Sequence, residues 1–159
     1  MTTRADFDAE QWARIAEAPV LAAMRVMTAA RGGTVREGIA LAREYTERRR
    51  EGGEGLLAEI LRTAPSLDPA TVGGPDALRD RSDRLLREAL AALDARARPD
   101  EREAYRSFVR DLAATVAAAH REGGVLGIGG TEVSAPERAV LDELEAVLGP
   151  EGGGSAPGG

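Results

Sequence analysis

The chain has no cysteine, no lysine and no asparagine, and it has one histidine, one glutamine and five aromatic residues among 159. The missing thiols exclude a disulfide framework, a zinc thiolate site, an iron–sulfur cluster and a thiol nucleophile. A lone His120 excludes multi-histidine metal or haem arrangements, including the paired Glu-x-x-His motifs of a di-metal carboxylate bundle. Without lysine there is neither Schiff-base chemistry nor a P-loop lysine. Phe7, Trp12, Tyr45, Tyr105 and Phe108 are too few for a base-stacking platform. No Asp-x-Asp-x-Asp-Gly loop occurs, so there is no EF-hand. No run approaches the roughly 20 apolar residues that cross a bilayer. The opening Met1-Thr-Thr-Arg-Ala-Asp-Phe-Asp8 has no apolar core and does not read as a secretory signal, so the expected compartment is the cytoplasm.

What is present fits one globular domain. Hydrophobic residues make up 43% and charged residues 30%, and a chain this long can bury roughly two-thirds of its unfolded surface without a metal or disulfide. Its 27 acids against 21 arginines give a net charge of −6, which disfavours nucleic acid and anionic membranes as partners.

The hydrophobic spacing is helical from end to end. Asp8 and Gln11 form a reciprocal cap, with Phe7 and Trp12 placed as a hydrophobic staple. That first helix is expected to end near Ala18, with Pro19 opening the next. Val20 to Arg31 is apolar except for Arg25, Thr28 and Arg31, which marks it as the buried centre of a bundle. Gly32-Gly33 stops it, and the box Thr34-Val-Arg-Glu37 starts a helix running to about Arg50. A short amphipathic piece with Leu56, Leu57, Ile60 and Leu61 follows, and residues 65–75 read as a loop.

A helix over about 76–97 places Leu78, Leu85, Leu86, Ala89, Leu90 and Leu93 on one face, with Asp80/Arg84, Asp83/Arg87 and Arg84/Glu88 set for i,i+4 pairing on the other. The helix over about 100–122 turns Tyr105, Phe108, Val109, Leu112, Val116 and Ala119 inward. After the glycine-rich run 123–133, the box Ser134-Ala-Pro-Glu137 opens a last helix with Val140, Leu141, Leu144, Val147 and Leu148 inward. Residues 149–159 are expected to be a disordered tail. The fold class is therefore all-α: one domain over 1–148, six or seven helices, with a pseudo-duplicated helical hairpin marked by the two hydroxyl-x-x-Glu boxes.

Each candidate for chemistry has a simpler reading. Gly124 to Thr131 has the length of a phosphate-binding loop, but Gly130 stands where the lysine belongs and no strand precedes it, so a tight connection that tucks Val125, Leu126 and Ile128 inward is expected. His120, in a last helical turn, suits unpaired carbonyls and the negative end of the helix dipole. Glu37 and Glu137 have the spacing of caps, although carboxylates can also ligate metal. Arg48, Arg49 and Arg50 suit a helix C-terminus. Residues 101–159 carry ten acids against five arginines, so Glu137, Asp142, Glu143 and Glu145 outline an acidic face able to meet a basic partner.

The segments Val20-Leu-Ala-Ala-Met-Arg-Val-Met-Thr-Ala-Ala-Arg-Gly-Gly-Thr-Val-Arg-Glu37, Leu112-Ala-Ala-Thr-Val-Ala-Ala-Ala-His120 and Val133-Ser-Ala-Pro-Glu137-Arg-Ala-Val-Leu-Asp-Glu-Leu144 resemble the tellurite-resistance TerB-like helical family. The resemblance implies an all-helical fold and a link to stress response. In some members it also implies divalent-metal association through acidic residues, for which Glu37 and Glu137 would be the ligands here. The family's Ala-Asp-Gly turn reads Ala30-Arg31-Gly32 and Arg121-Glu122-Gly123 in this chain, so the fold carries over and no site does. The expected function is non-catalytic: a domain that binds another protein, with no catalytic, cofactor or metal site.

Overall fold

A computed structural model describes residues 1–29, 35–52, 54–63, 73–122 and 133–150, with the side chains of 35–37 and 120–122 left out. These residues form a 3-10 turn (Arg4–Asp6) and six helices: α1 (Ala9–Ala29), α2 (Val35–Glu51), α3 (Leu56–Arg62), α4 (Pro75–Arg96), α5 (Pro99–Glu122) and α6 (Ala135–Leu148). No strand occurs among the described residues. The bundle is all-α, as the periodicity requires.

The α1 start is built as its sequence dictates. Asp8 Oδ1 accepts from the Gln11 N–H at 2.8 Å, the Asp8 N–H donates to Gln11 Oε1 at 3.2 Å, and the Phe7 and Trp12 rings meet at 6.1 Å. The helix does not end at Ala18. It runs unbroken through Pro19 to Ala29, which corrects the expected break. Proline removes the N–H that would bond the carbonyl four residues back, here that of Ile15. The fully buried Tyr105 hydroxyl donates to this same oxygen at 2.9 Å, so α5 supplies the donor that the sequence of α1 withholds.

α1 is the axis of the bundle. It packs on α4 and α5 and also touches α2, α3 and α6. Ala18, Ala22 and Ala23 of α1, with Ser82 and Ala89 of α4, are all buried, and such short side chains let helix axes approach closely. Arg14 of α1 reaches Glu88, and Arg25 reaches Asp83, so α4 runs antiparallel to α1. The short turn at Ala97 and Arg98 then returns the chain as α5, parallel to α1. Phe108, Val109, Leu112 and Val116 of α5 complete the core.

The two outer arms pack differently, α2 touching its partner α1 only lightly and α6 packing on its partner α5 as well as on other helices. α2 leans mainly on α5, with Tyr45 edge-on to Phe108, whereas α6 bridges α1, α4 and α5. The Ser134–Glu137 box is formed: Ser134 Oγ accepts from the Glu137 N–H at 3.4 Å, and the Ser134 N–H donates to Glu137 Oε2 at 3.0 Å. Its counterpart Thr34–Glu37, the loop 65–72 and the glycine-rich run 123–132 lie outside the described residues. Gly149, expected to begin the tail, belongs to the fold. It takes a positive φ of 80° as it closes α6, and its carbonyl accepts from Arg110 at 2.7 Å.

Arginines from other helices bind several helix ends. Arg49 of α2 places Nε and Nη2 on the carbonyl of Leu61 in α3, at 3.0 and 2.7 Å. Arg106 of α5 donates to the carbonyl of Leu148 at 3.0 Å. The forked guanidinium suits this task better than an ammonium, since it presents several donors in one plane.

The start of the chain is tied down in the same manner. Thr2 is buried, and its N–H and hydroxyl donate to the Glu101 carboxylate at 2.8 and 2.5 Å, with the Arg98 N–H adding a third bond at 3.1 Å. Burial pushes the Glu101 carboxyl up, but the Thr2 and Arg98 bonds outweigh it and hold the group at about 2, against an ordinary 4.5. A lowered folded-state value means that this contribution is complete above pH 4.5 and fades as pH falls towards 2. Glu101→Gln should therefore be less stable than the parent by about 1–2 kcal/mol at pH 7, with the gap narrowing below pH 4 and closing only as pH reaches about 2. Urea titrations at pH 7 and pH 2.5 check this; a gap undiminished at pH 2.5 would exclude the carboxylate as its source.

Candidate functional site

Two places in the described structure bring functional side chains together. The first lies where α1, α4 and α6 meet. Arg25 is 4% exposed in the apolar stretch of α1 and bonds Asp83 of α4 and Glu143 of α6, each at 2.5 Å. Arg79 of α4 adds a second bond to Glu143 at 3.0 Å. A cleft of about 220 Å³ opens beside these groups, with Thr28, Asp76 and Val140 on its walls. Arg25 and Arg79 face Asp83 and Glu143, so these four charges answer one another and clamp three helices. Asp76, exposed on the cleft wall, forms no ion pair among the described residues.

The sequence contained Arg25 but not its role, because its partners lie 58 and 118 residues away. The i,i+4 pairs expected along α4 are not made, for the same reason: Asp83 turns to Arg25 and Glu88 to Arg14, and Arg84 and Arg87 form no ion pair among the described residues. An inter-helix partner that is partly buried outcompetes an exposed one on the same helix, which is worth only a few tenths of a kcal/mol.

The second place is a groove of about 310 Å³ between α5 and α6, lined by Val109, Ala113, Ala114, Leu141, Leu144 and Leu148. Arg110 lies beside it, 11% exposed, and bonds Glu145 of α6 at 2.9 Å and Glu103 at 3.3 Å. On the α2 side, Arg48 bonds Glu44 at 2.9 Å and Asp111 at 2.7 Å. α6 runs antiparallel to α5 here, with Glu145 against Arg110 and Leu148 against Arg106.

The residues singled out in the sequence fall as follows. Glu137 is 1% exposed and caps α6 as its spacing implies; its Oε2 takes the Ser134 bonds, and its Oε1 is buried without a hydrogen-bond partner. The side chains of Glu37 and His120 lie outside the described residues. Of the three arginines 48–50, the first joins α2 to α5, the second closes α3, and Arg50 is exposed. The acidic face of α6 is not free as expected. Glu137 is internal, Glu143 and Glu145 are paired to arginines, and Asp142 alone of the four is exposed without an ion pair among the described residues. α6 alternates acids with apolar residues, so the carboxylates that flank its buried stripe fall within reach of arginines on the neighbouring helices.

No group of three or more histidine, aspartate or glutamate side chains among the described residues is placed to hold a metal ion. No helix among them is long and apolar enough to cross a membrane. No family model, curated protein or solved structure matches the chain.

Proposed function

We propose that this chain is a non-catalytic helical domain whose work is to bind another protein, in the cytoplasm. The observation that carries this reading is the use of its polar groups. Where ionisable side chains converge, around Arg25 and around Arg110, they pair with one another and fasten helices. A catalytic centre needs the opposite: an unspent acid, base or nucleophile aimed at open space.

The test is reconstitution. A protein that co-purifies reproducibly with the full chain should, when purified separately, form a complex of fixed stoichiometry with it. If no such protein can be reconstituted, the proposal fails.

One observation favours a second reading, of a TerB-like stress protein that binds a divalent ion or small ligand. The Glu137 Oε1 atom is buried with no partner, and a carboxylate oxygen so placed is costly unless something completes it. Melting the full chain with millimolar magnesium, calcium, manganese or zinc separates the two readings. Under the first, the melting temperature moves by less than about 1 °C; a rise of several degrees that a chelator reverses would put the second in its place.

A further inference from the structure

We propose that the Met1–Thr2 bond is a processing site: a methionine-specific aminopeptidase hydrolyses it, and the α-ammonium left on Thr2 forms an ion pair with the Glu101 carboxylate. The receiving group is already in place. Glu101 is 9% exposed and clasps Thr2 with both oxygens, Oε1 accepting from the N–H at 2.8 Å and Oε2 from the hydroxyl at 2.5 Å. With Met1 attached, that N–H belongs to a neutral amide. An ammonium at the same point sets a full positive charge against a buried carboxylate, and such charge-assisted bonds are about twice as strong as neutral ones.

The surroundings favour a cation there. Arg98, 55% exposed, stands 3.6 Å from Glu101 Oε2 and also bonds Asp100 at 2.8 Å, so two carboxylates share one outward guanidinium. Glu54 adds a further acid to the same cleft of about 210 Å³, which is open to the water that an ammonium needs for its remaining bonds. Met1 gives up little by leaving. Its side chain rests on Gly55, where a Cβ would meet Met1 Cγ at 3.5 Å, but the residue is 67% exposed.

The step balances. One water adds across the peptide bond, methionine departs with the new carboxylate, and Thr2 keeps the nitrogen, which takes up a proton. Threonine has the small side chain that such peptidases require after the methionine. Thr2 is 5% exposed, so the bond is shielded once the chain has folded, and cleavage precedes the packing of Thr2 on Glu101.

The absence of lysine supplies a clean test, because an α-amine is the single amino group this sequence can offer. The full chain is expressed twice, once with the peptidase inhibited so that Met1 is kept and once with the peptidase active. Intact mass should show the second product lighter by one methionine residue. It should melt about 2–4 °C above the first, and Glu101→Gln should remove that difference. At neutral pH the Thr2 amine should react with an N-hydroxysuccinimide ester at least tenfold more slowly than the exposed amine of the Met1 form, because a paired ammonium is not a nucleophile. Glu101→Gln should restore the faster rate, whereas Asp80→Asn, which makes the same charge change on the exposed face of α4, should leave the slow rate within twofold.

Retention of Met1 with the peptidase active, a melting temperature unmoved by its removal, or a Thr2 amine equally reactive in the parent and in Glu101→Gln overturns the proposal. The comparison of the two parent forms stands even if Glu101→Gln fails to fold.

Discussion

Arg25→Met is expected to cost about 1–2 kcal/mol of folding stability, read as a lower urea midpoint with an unchanged denaturant slope. The substitution keeps most of the volume in α1 but leaves Asp83 facing a thioether and Glu143 with Arg79 alone. The loss reflects the carboxylates left behind more than the net worth of the ion pairs, because bringing a guanidinium into the core already costs much of what the pairing returns. Replacing Arg25, Asp83 and Glu143 together with Met, Leu and Leu should therefore recover most of the loss. A single variant within 0.5 kcal/mol of the parent would mean that the cluster behaves like an exposed surface pair, and its place at the meeting of three helices would carry no energetic weight.

The second large effect concerns Pro19. Tyr105→Phe should destabilise the fold by about 2–3 kcal/mol, because it leaves the Ile15 carbonyl buried with neither an intrahelical nor a side-chain donor. Pro19→Ala restores the missing N–H. In that background the loss of the Tyr105 hydroxyl should cost at least 1 kcal/mol less, so the double-mutant cycle should be strongly non-additive. Tyr45→Phe is the internal contrast: its hydroxyl is buried with no partner, and its removal should be neutral or slightly stabilising. Additivity within about 0.5 kcal/mol would show that the Tyr105 bond does not compensate for the proline.

These two sites mark the boundary of what the sequence discloses. Features governed by neighbours in the chain were legible: the Asp8–Gln11 cap with its Phe7–Trp12 staple, the Ser134–Glu137 box, and the inward faces of α3, α4, α5 and α6. Each depends on residues within a turn or two. Pro19 misled because the group that rescues it is 90 residues from Ile15, and local chemistry alone argues for a break. The pairing of Asp83 and Glu88 misled for the same reason, since a nearby arginine on α4 is visible in the sequence and a better-placed one on α1 is not. The groove could not be anticipated at all. Its walls are ordinary helix-facing leucines, and only the antiparallel placement of α6 on α5 turns them into a furrow.

Helix ends ordinarily loosen first, each independently of the rest of the molecule. Here the last carbonyls of α6 are gripped by Arg106 and Arg110 of α5, and that of Leu61 by Arg49 of α2. The final turns of α3 and α6 consequently cannot unwind without surrendering bonds to a second helix. Opening is thus shared among distant parts of the chain, and the bundle comes apart more nearly as one unit than a set of separately capped rods would.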